Sequence, residues 1–273
     1  MSSVINTNMN SLVAQNNLSK SQMSLSTSIQ RLSSGLRINS AADDASGLSI
    51  ATKMDSQIRG MTVATRNAND AISWAQTADG GLSNINDALQ RMRELAVEGA
   101  NGTTDNASLT AEFTQLQAEI TREAGNTLFN GTNTLGAAAA LGITFQVGAN
   151  TTDTVTVTGT DVTAGATAAA TAGGITVADA AHSTAAITAI DAAITQVNGA
   201  RAQMGAVQNR FQSVISGLQN ETQNQTAAKS RIMDADFAAE TANMTRGQIL
   251  QQAGTAMLAQ ANSLPNTVLK LLQ

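Results

Sequence analysis

The sequence predicts a mainly α fold: a long antiparallel helical coiled coil or bundle drawn from both ends of the chain, with a small β-hairpin insertion in the middle. Three observations predict it. Leu, Ile, Val, Met and Ala recur at steps of three and four over both terminal thirds, the period of a helix face turned towards another helix. Aromatic residues make up only 2% of 273 residues, and Pro265 is the one proline, so long breaker-free stretches must pack through aliphatic side chains. The middle has no Lys or Arg between Arg122 and Arg201 and is dominated by Ala, Thr and Gly.

Taken in order, Leu18, Leu25, Ile29, Leu32 and Leu36 fall at steps of 7, 4, 3 and 4, a heptad stripe. Asn, Ser, Asp and Gly cluster over Asn39–Gly47, as at a turn or irregular connector. The stripe resumes through Ile58, Met61, Ala68, Ile72, Ala75, Leu82, Ile85, Leu89, Met92 and Ala96. One helix of about 50 residues, about 75 Å long, accommodates it. Gly99–Asn106 reads as a loop, followed by a shorter stripe at Leu109, Phe113, Leu116 and Ile120. Ile143–Val147 and the alternating Thr154–Thr158 read as short strands, in a surface insertion with a thin core. Ile187, Ile190, Ile194, Val197, Met204, Phe211, Ile215 and Leu218 restore the helical period. Asp234 and Asp236 stand where an N-cap is wanted before Phe237, and the last helix carries Leu250, Met257, Leu264 and Leu271, each seven apart. The chain thus divides into an N-terminal arm (1–40), one half of a helical core (41–131), the insertion (132–182), the other half of the core (183–230) and a C-terminal arm (231–273).

Composition excludes several functions. A net charge of −5 and the lack of a basic stripe argue against nucleic acid. The absence of cysteine removes disulfides, thiolate metal sites and cysteine nucleophiles. His182 is the single histidine and nothing catalytic flanks it. Asp43-Asp44 and Asp234-x-Asp236 suit turns and caps. No catalytic, cofactor or metal residue is assigned, and an enzyme is not expected. No apolar run is long enough to span a bilayer. The amphipathic arms carry Ser, Asn, Gln and Thr where a membrane-lying helix wants Lys, Arg and aromatics. Met1–Asn6 has neither the basic nor the apolar region of a Sec signal peptide, so export is expected by another route.

The arms point instead to assembly. A large aliphatic side chain contributes about 1.5–3 kcal/mol when fully buried. Ordering each residue costs about 1–2 kcal/mol of backbone entropy. The few large side chains of an arm cannot offset that alone, so neighbouring copies are expected to cover it; the alternative is that the arms fold back on the chain's own core. Met9, Leu12, Val13, Leu18, Leu25, Leu32, Leu250, Met257, Leu258, Leu264, Val268, Leu271 and Leu272 are the candidates for this polymerisation surface. Contact between two different patches does not close, and propagates as a filament.

Several colinear stretches carry a family signal. They are Val4–Asn8, Gln30–Leu48, Gln90–Val97, Phe129–Gly131, Val147–Asn150, Ser230–Ile232, Asp234–Phe237, Gln248–Asn262 and Leu264-Pro265. With these the chain closely resembles bacterial flagellin over roughly 1–131 and 185–273, as a short form with little or no outer-domain insertion. The resemblance implies terminal arms that pair as an inner tube and a helical outer-tube domain. It also implies an extracellular filament for swimming motility and unfolded export through the flagellar type III apparatus. The implied partners are further copies of itself, an export chaperone at the C-terminal arm, and the filament cap and hook-junction proteins. A flagellin-sensing Toll-like receptor is implied at Gln90, Arg91, Glu94, Leu95 and Glu112, which match the recognised stretch and its neighbouring helix. Hook-associated junction proteins share parts of the pattern and are the alternative.

Overall fold

The computed structural model describes residues 7–271 apart from 102 and 104, and for 264–271 the backbone alone. It comprises two compact units, one formed by the chain up to 56 together with 224 onward, the other by 57–223.

In the first unit, helix α1 (Met9–Ser34) starts at Asn8, whose side-chain oxygen accepts the Ser11 N–H at 3.2 Å. It ends at Gly35, which takes the left-handed conformation (φ 71°) and donates its N–H to Arg31 at 2.8 Å. Leu36 then pairs with Asp234, and the Ala235 N–H donates to the Gly35 carbonyl. Asp43 gathers the connector, accepting from the Asn39 and Ser40 amides and the Ser40 hydroxyl. Helix α2 (Ala45–Gly99) begins where the Asp44 carboxylate accepts the Gly47 amide at 2.8 Å. Helix α7 (Phe237–Leu271) is capped as expected: Asp236 accepts the amides of Ala238 and Ala239. On the segment that precedes α7, Lys229 bonds to Asp55 of α2 at 2.5 Å.

The second unit is built on α2, on α3 (Asn106–Asn126) and on α6 (Ala180–Met233). Their stripes converge as the spacing requires. Trp74, Leu82, Ile85, Leu89, Met92, Phe113, Ile120, Ile190, Val197, Met204 and Phe211 share one buried core with many alanines. Between α3 and α6 come a hairpin of β1 (Leu128–Phe129) and β2 (Thr132–Asn133), then α4 (Ala137–Ala140), a second hairpin of β3 (Ile143–Gln146) and β4 (Thr154–Val157), and α5 (Gly165–Thr171). Asn130-Gly131 turns the first hairpin with both residues at positive φ, 49° and 77°, the pairing a two-residue turn demands. The second is antiparallel, with Ile143 opposite Val157 and Gln146 opposite Thr154.

The 132–182 segment has no thin core of its own. Leu135, Ala139, Val155, Val157, Val162, Ala170 and Val177 belong to the same core as the long helices, and Phe145 meets Phe211 edge-on at 5.7 Å. Two glutamines hold it down. Gln117 of α3 is buried and its amide donates to the carbonyls of Ala170 and Ile175 at 3.1 Å and of Ala172 at 3.4 Å. Gln196 of α6 accepts the Thr167 N–H at 3.0 Å and donates to the carbonyls of Asp161 and Ala164.

Gln117→Leu strips those buried carbonyls of their donor, so the second unit should lose about 1–3 kcal/mol. Guanidinium denaturation followed through Trp74, the single tryptophan and a buried one, measures this. An unchanged midpoint would remove Gln117 from the account of how the segment is held.

Candidate assembly surfaces

The first surface is built from α1 and α7, which pack antiparallel. A β-carbon placed on Gly254 would stand 3.1 Å from Cδ1 of Leu18, and one on Gly247 would stand 3.3 Å from Cβ and Cδ1 of Leu25. Each step of seven along α1 is thus matched by a step of seven back along α7. The ladder continues to Ser11, whose hydroxyl donates to the Asn262 side chain at 2.8 Å, while Asn8 donates to the Ala261 carbonyl. The same register brings Leu32 level with the buried Glu240.

This places the expected residues differently from their spacing. Leu18, Leu25 and Leu32 are half-buried, as is Leu258. Within the described part of the C-terminal stripe, Gly247 and Gly254 rather than Leu250 and Met257 stand against the leucines of α1. Leu250 and Met257 are left 49% and 63% exposed, and Met9, Leu12 and Val13 are 59%, 52% and 54% exposed. Val13, Leu18, Leu250 and Met257 line a groove of about 570 Å³. Leu264, Val268 and Leu271 have side chains outside the described residues, and Leu272 lies outside them altogether, as do Val4–Asn6. The spacing of large apolar residues does not reveal Gly247, Gly254 and Glu240. Two glycines seven apart inside an otherwise helical pattern were the available signal.

The second surface lies on α2 and α3. Arg91 donates from Nε to Glu112 and from Nη1 to Glu94, both at 2.9 Å. Its pKa is raised further above the ordinary value, first by Glu112 and then by Glu94. Arg93 turns the other way, to Asp191 of α6 at 2.6 Å. Gln90, Arg91, Glu94 and Glu112 are exposed on this face. Leu95 is not: at 1% exposure it belongs to the core and cannot touch a partner.

Among the described residues no group of three or more His, Cys, Asp or Glu could hold a metal ion, and no helix is long and apolar enough to cross a membrane. Long helices, uncovered aliphatic side chains and exposed ion pairs define a structural, self-associating class of protein rather than a catalyst. The sequence matches the bacterial flagellin N-terminal helical region over residues 5–140 and the bacterial flagellin C-terminal helical region over 187–272. It is 44% identical to flagellin from Halalkalibacterium halodurans, over 99% of this chain and all of that one. It is 40% identical to flagellin from Bacillus subtilis, over 98% and 99%. The crystal structure of Bacillus cereus flagellin aligns with a TM-score of 0.50 at 34% identity, covering 60% of this chain and 94% of that one. The chain belongs to the bacterial flagellin family, and it is a structural subunit of the flagellar filament, not an enzyme.

Two outcomes check these surfaces. Gly254→Leu drives a branched side chain into Leu18, so amide exchange across 9–34 should quicken at least about tenfold while 57–223 keeps its protection. Exchange that stays slow in 9–34 would mean the ladder is not the contact holding α1. The Ser40 hydroxyl, then the Ser40 and Asn39 amides, hold the Asp43 carboxyl below its ordinary value. A depressed folded pKa contributes stability that is present above the unfolded value of 3.8 and is lost as pH falls through the folded one. Asp43→Asn should therefore flatten the acid-side loss of protection at the Asn39 and Ser40 amides, read by pH-jump exchange.

Proposed function

We propose that this chain polymerises with copies of itself through the uncovered aliphatic face of α1 and α7, forming the inner wall of the filament. The observation that carries the reading is the exposure of Met9, Leu12, Val13, Leu250 and Met257 on two helices whose mutual contact is made by Leu18 and Leu25 on glycine. Large side chains are spent outwards and small ones inwards, which is the arrangement of a helix pair awaiting neighbours. Leu258 extends the same surface; the side chains of Leu264, Val268, Leu271 and Leu272 lie outside the described residues. In this reading 1–40 and 231–273 are the inner-tube arms and 41–131 with 183–230 the outer helical core.

The remaining roles are part of the same proposal, and resemblance to the family supports them. The chain travels unfolded through the flagellar type III apparatus, with an export chaperone on the C-terminal arm, and meets the cap and hook-junction proteins at the filament ends. The α2–α3 face of Gln90, Arg91, Glu94 and Glu112 is the contact for the flagellin-sensing Toll-like receptor and for the axial neighbour in the filament. Leu95 supports that face from within.

Seeded elongation, imaged by negative-stain electron microscopy, tests the polymerisation. Leu250→Asp with Met257→Asp should abolish elongation while leaving the helicity of the second unit intact; normal filaments from this variant would refute the surface. Arg91→Ala frees Glu112 and Glu94 together, so receptor signalling and filament melting temperature should fall in parallel. If neither falls, the shared use of that face is wrong.

A further inference from the structure

Beside the glycine ladder, a second groove of about 460 Å³ opens between α1 and α7. Its character is opposite to that of the aliphatic groove, although Leu250 lines both. Lys20, Arg31 and Arg246 line it, among hydroxyls, against one carboxylate, Glu240. Arg31 Nε is buried without a hydrogen-bond partner. Among the described residues Arg246 bonds only to Asn243 of its own helix, at 3.4 Å. Among the described residues neither Lys20 nor Glu240 is engaged in an ion pair. The neighbouring Asp43 makes no hydrogen bond to Arg31, its Oδ2 accepting from Asn39 and Ser40, although the Arg31 charge acts on it through space.

Three cations against one acid leave the groove two charges positive in a chain of net charge −5, so the rest of the chain carries −7. A buried guanidinium nitrogen without an acceptor is an unmet donor, and a carboxylate is the acceptor that matches it most strongly. Copies of this chain offer such groups: Asp70, Asp87 and Glu221 are exposed and have no cationic partner among the described residues.

We propose that a carboxylate of a second copy of this chain enters this groove and is held by Lys20, Arg31 and Arg246. The proposal rests on the polymerisation reading and deepens it. The aliphatic face supplies the adhesion, and the charged groove selects the register at which copies lock, because a like charge placed there is repelled. Glu240 keeps the empty groove from being three charges positive and limits binding of stray anions.

The test compares elongation of wild-type seeds by the wild-type full chain and by the Lys20→Gln, Arg31→Gln, Arg246→Gln variant across a NaCl series. Glutamine preserves helix propensity, and monomer circular dichroism confirms folding. At about 50 mM NaCl the variant should elongate at least about tenfold more slowly; at about 500 mM, with screening within a few ångströms, the ratio should fall to about twofold or less. Measuring the ratio removes the effect of salt on every other contact. A ratio near one throughout, or a deficit unchanged by salt, would overturn the proposal, the latter assigning the three residues to packing. A deficit that vanishes in the Glu240→Gln background would also overturn it, because the cations would then serve their own carboxylate. Failure of the wild-type chain to elongate its own seeds would overturn the polymerisation reading, and the groove contact with it.

Discussion

Close approach of helices through small side chains is the constraint on which both units depend. With five phenylalanines and one tryptophan in 273 residues, the chain cannot fill wide gaps between elements. It narrows them instead. In the second unit Ala68, Ala71, Ala75 and Ala78 of α2 are buried in one core with Ala186, Ala193 and Ala200 of α6. In the first unit Gly247 and Gly254 let α7 come down onto Leu25 and Leu18. Dispersion contacts are individually weak and fall off steeply with separation, so short distances must compensate for small surfaces.

That economy has a consequence for function. Once small residues make the internal contact, the large aliphatic ones on the same helices are left facing outwards. A single chain carrying Met9, Leu12, Val13, Leu250 and Met257 uncovered is incomplete as a globule and suited to being one of many copies. Membership of the flagellin family agrees with this division of labour.

Polar groups do the positioning. Gln117 and Gln196 reach into the 161–175 backbone from two different helices and satisfy carbonyls and an amide that short elements cannot satisfy for themselves. This is how a segment poor in charge and rich in Ala, Thr and Gly becomes part of a helical core. On the outside, Arg91 bridges α2 to α3 and Arg93 bridges α2 to α6, so neighbouring arginines on one helix tie it to two partners. Such exposed pairs add little stability; they fix the orientation of a surface.

Much of this was legible in the sequence. The heptad spacing located all the long helices, Asp236 announced the start of α7, and the alternation at Thr154–Val157 marked its strand, because each signal is local and repeats with the period of the element. The motif stretches identified the family for the same reason. What the sequence left open was which face of each helix meets which partner. Leu250 and Met257 have the spacing of a coiled-coil seam, yet Gly247 and Gly254 hold that place, because helix pairing is decided by how closely two backbones can approach and not by hydrophobicity alone. Leu95 shares a motif with Arg91 and Glu94 yet points into the core, and the 132–182 segment, lacking any helical period, joins that core through contacts made by residues distant in the chain. Period determined the elements; only tertiary structure, by bringing remote side chains within van der Waals and hydrogen-bonding distance, decided which of their faces were left for assembly.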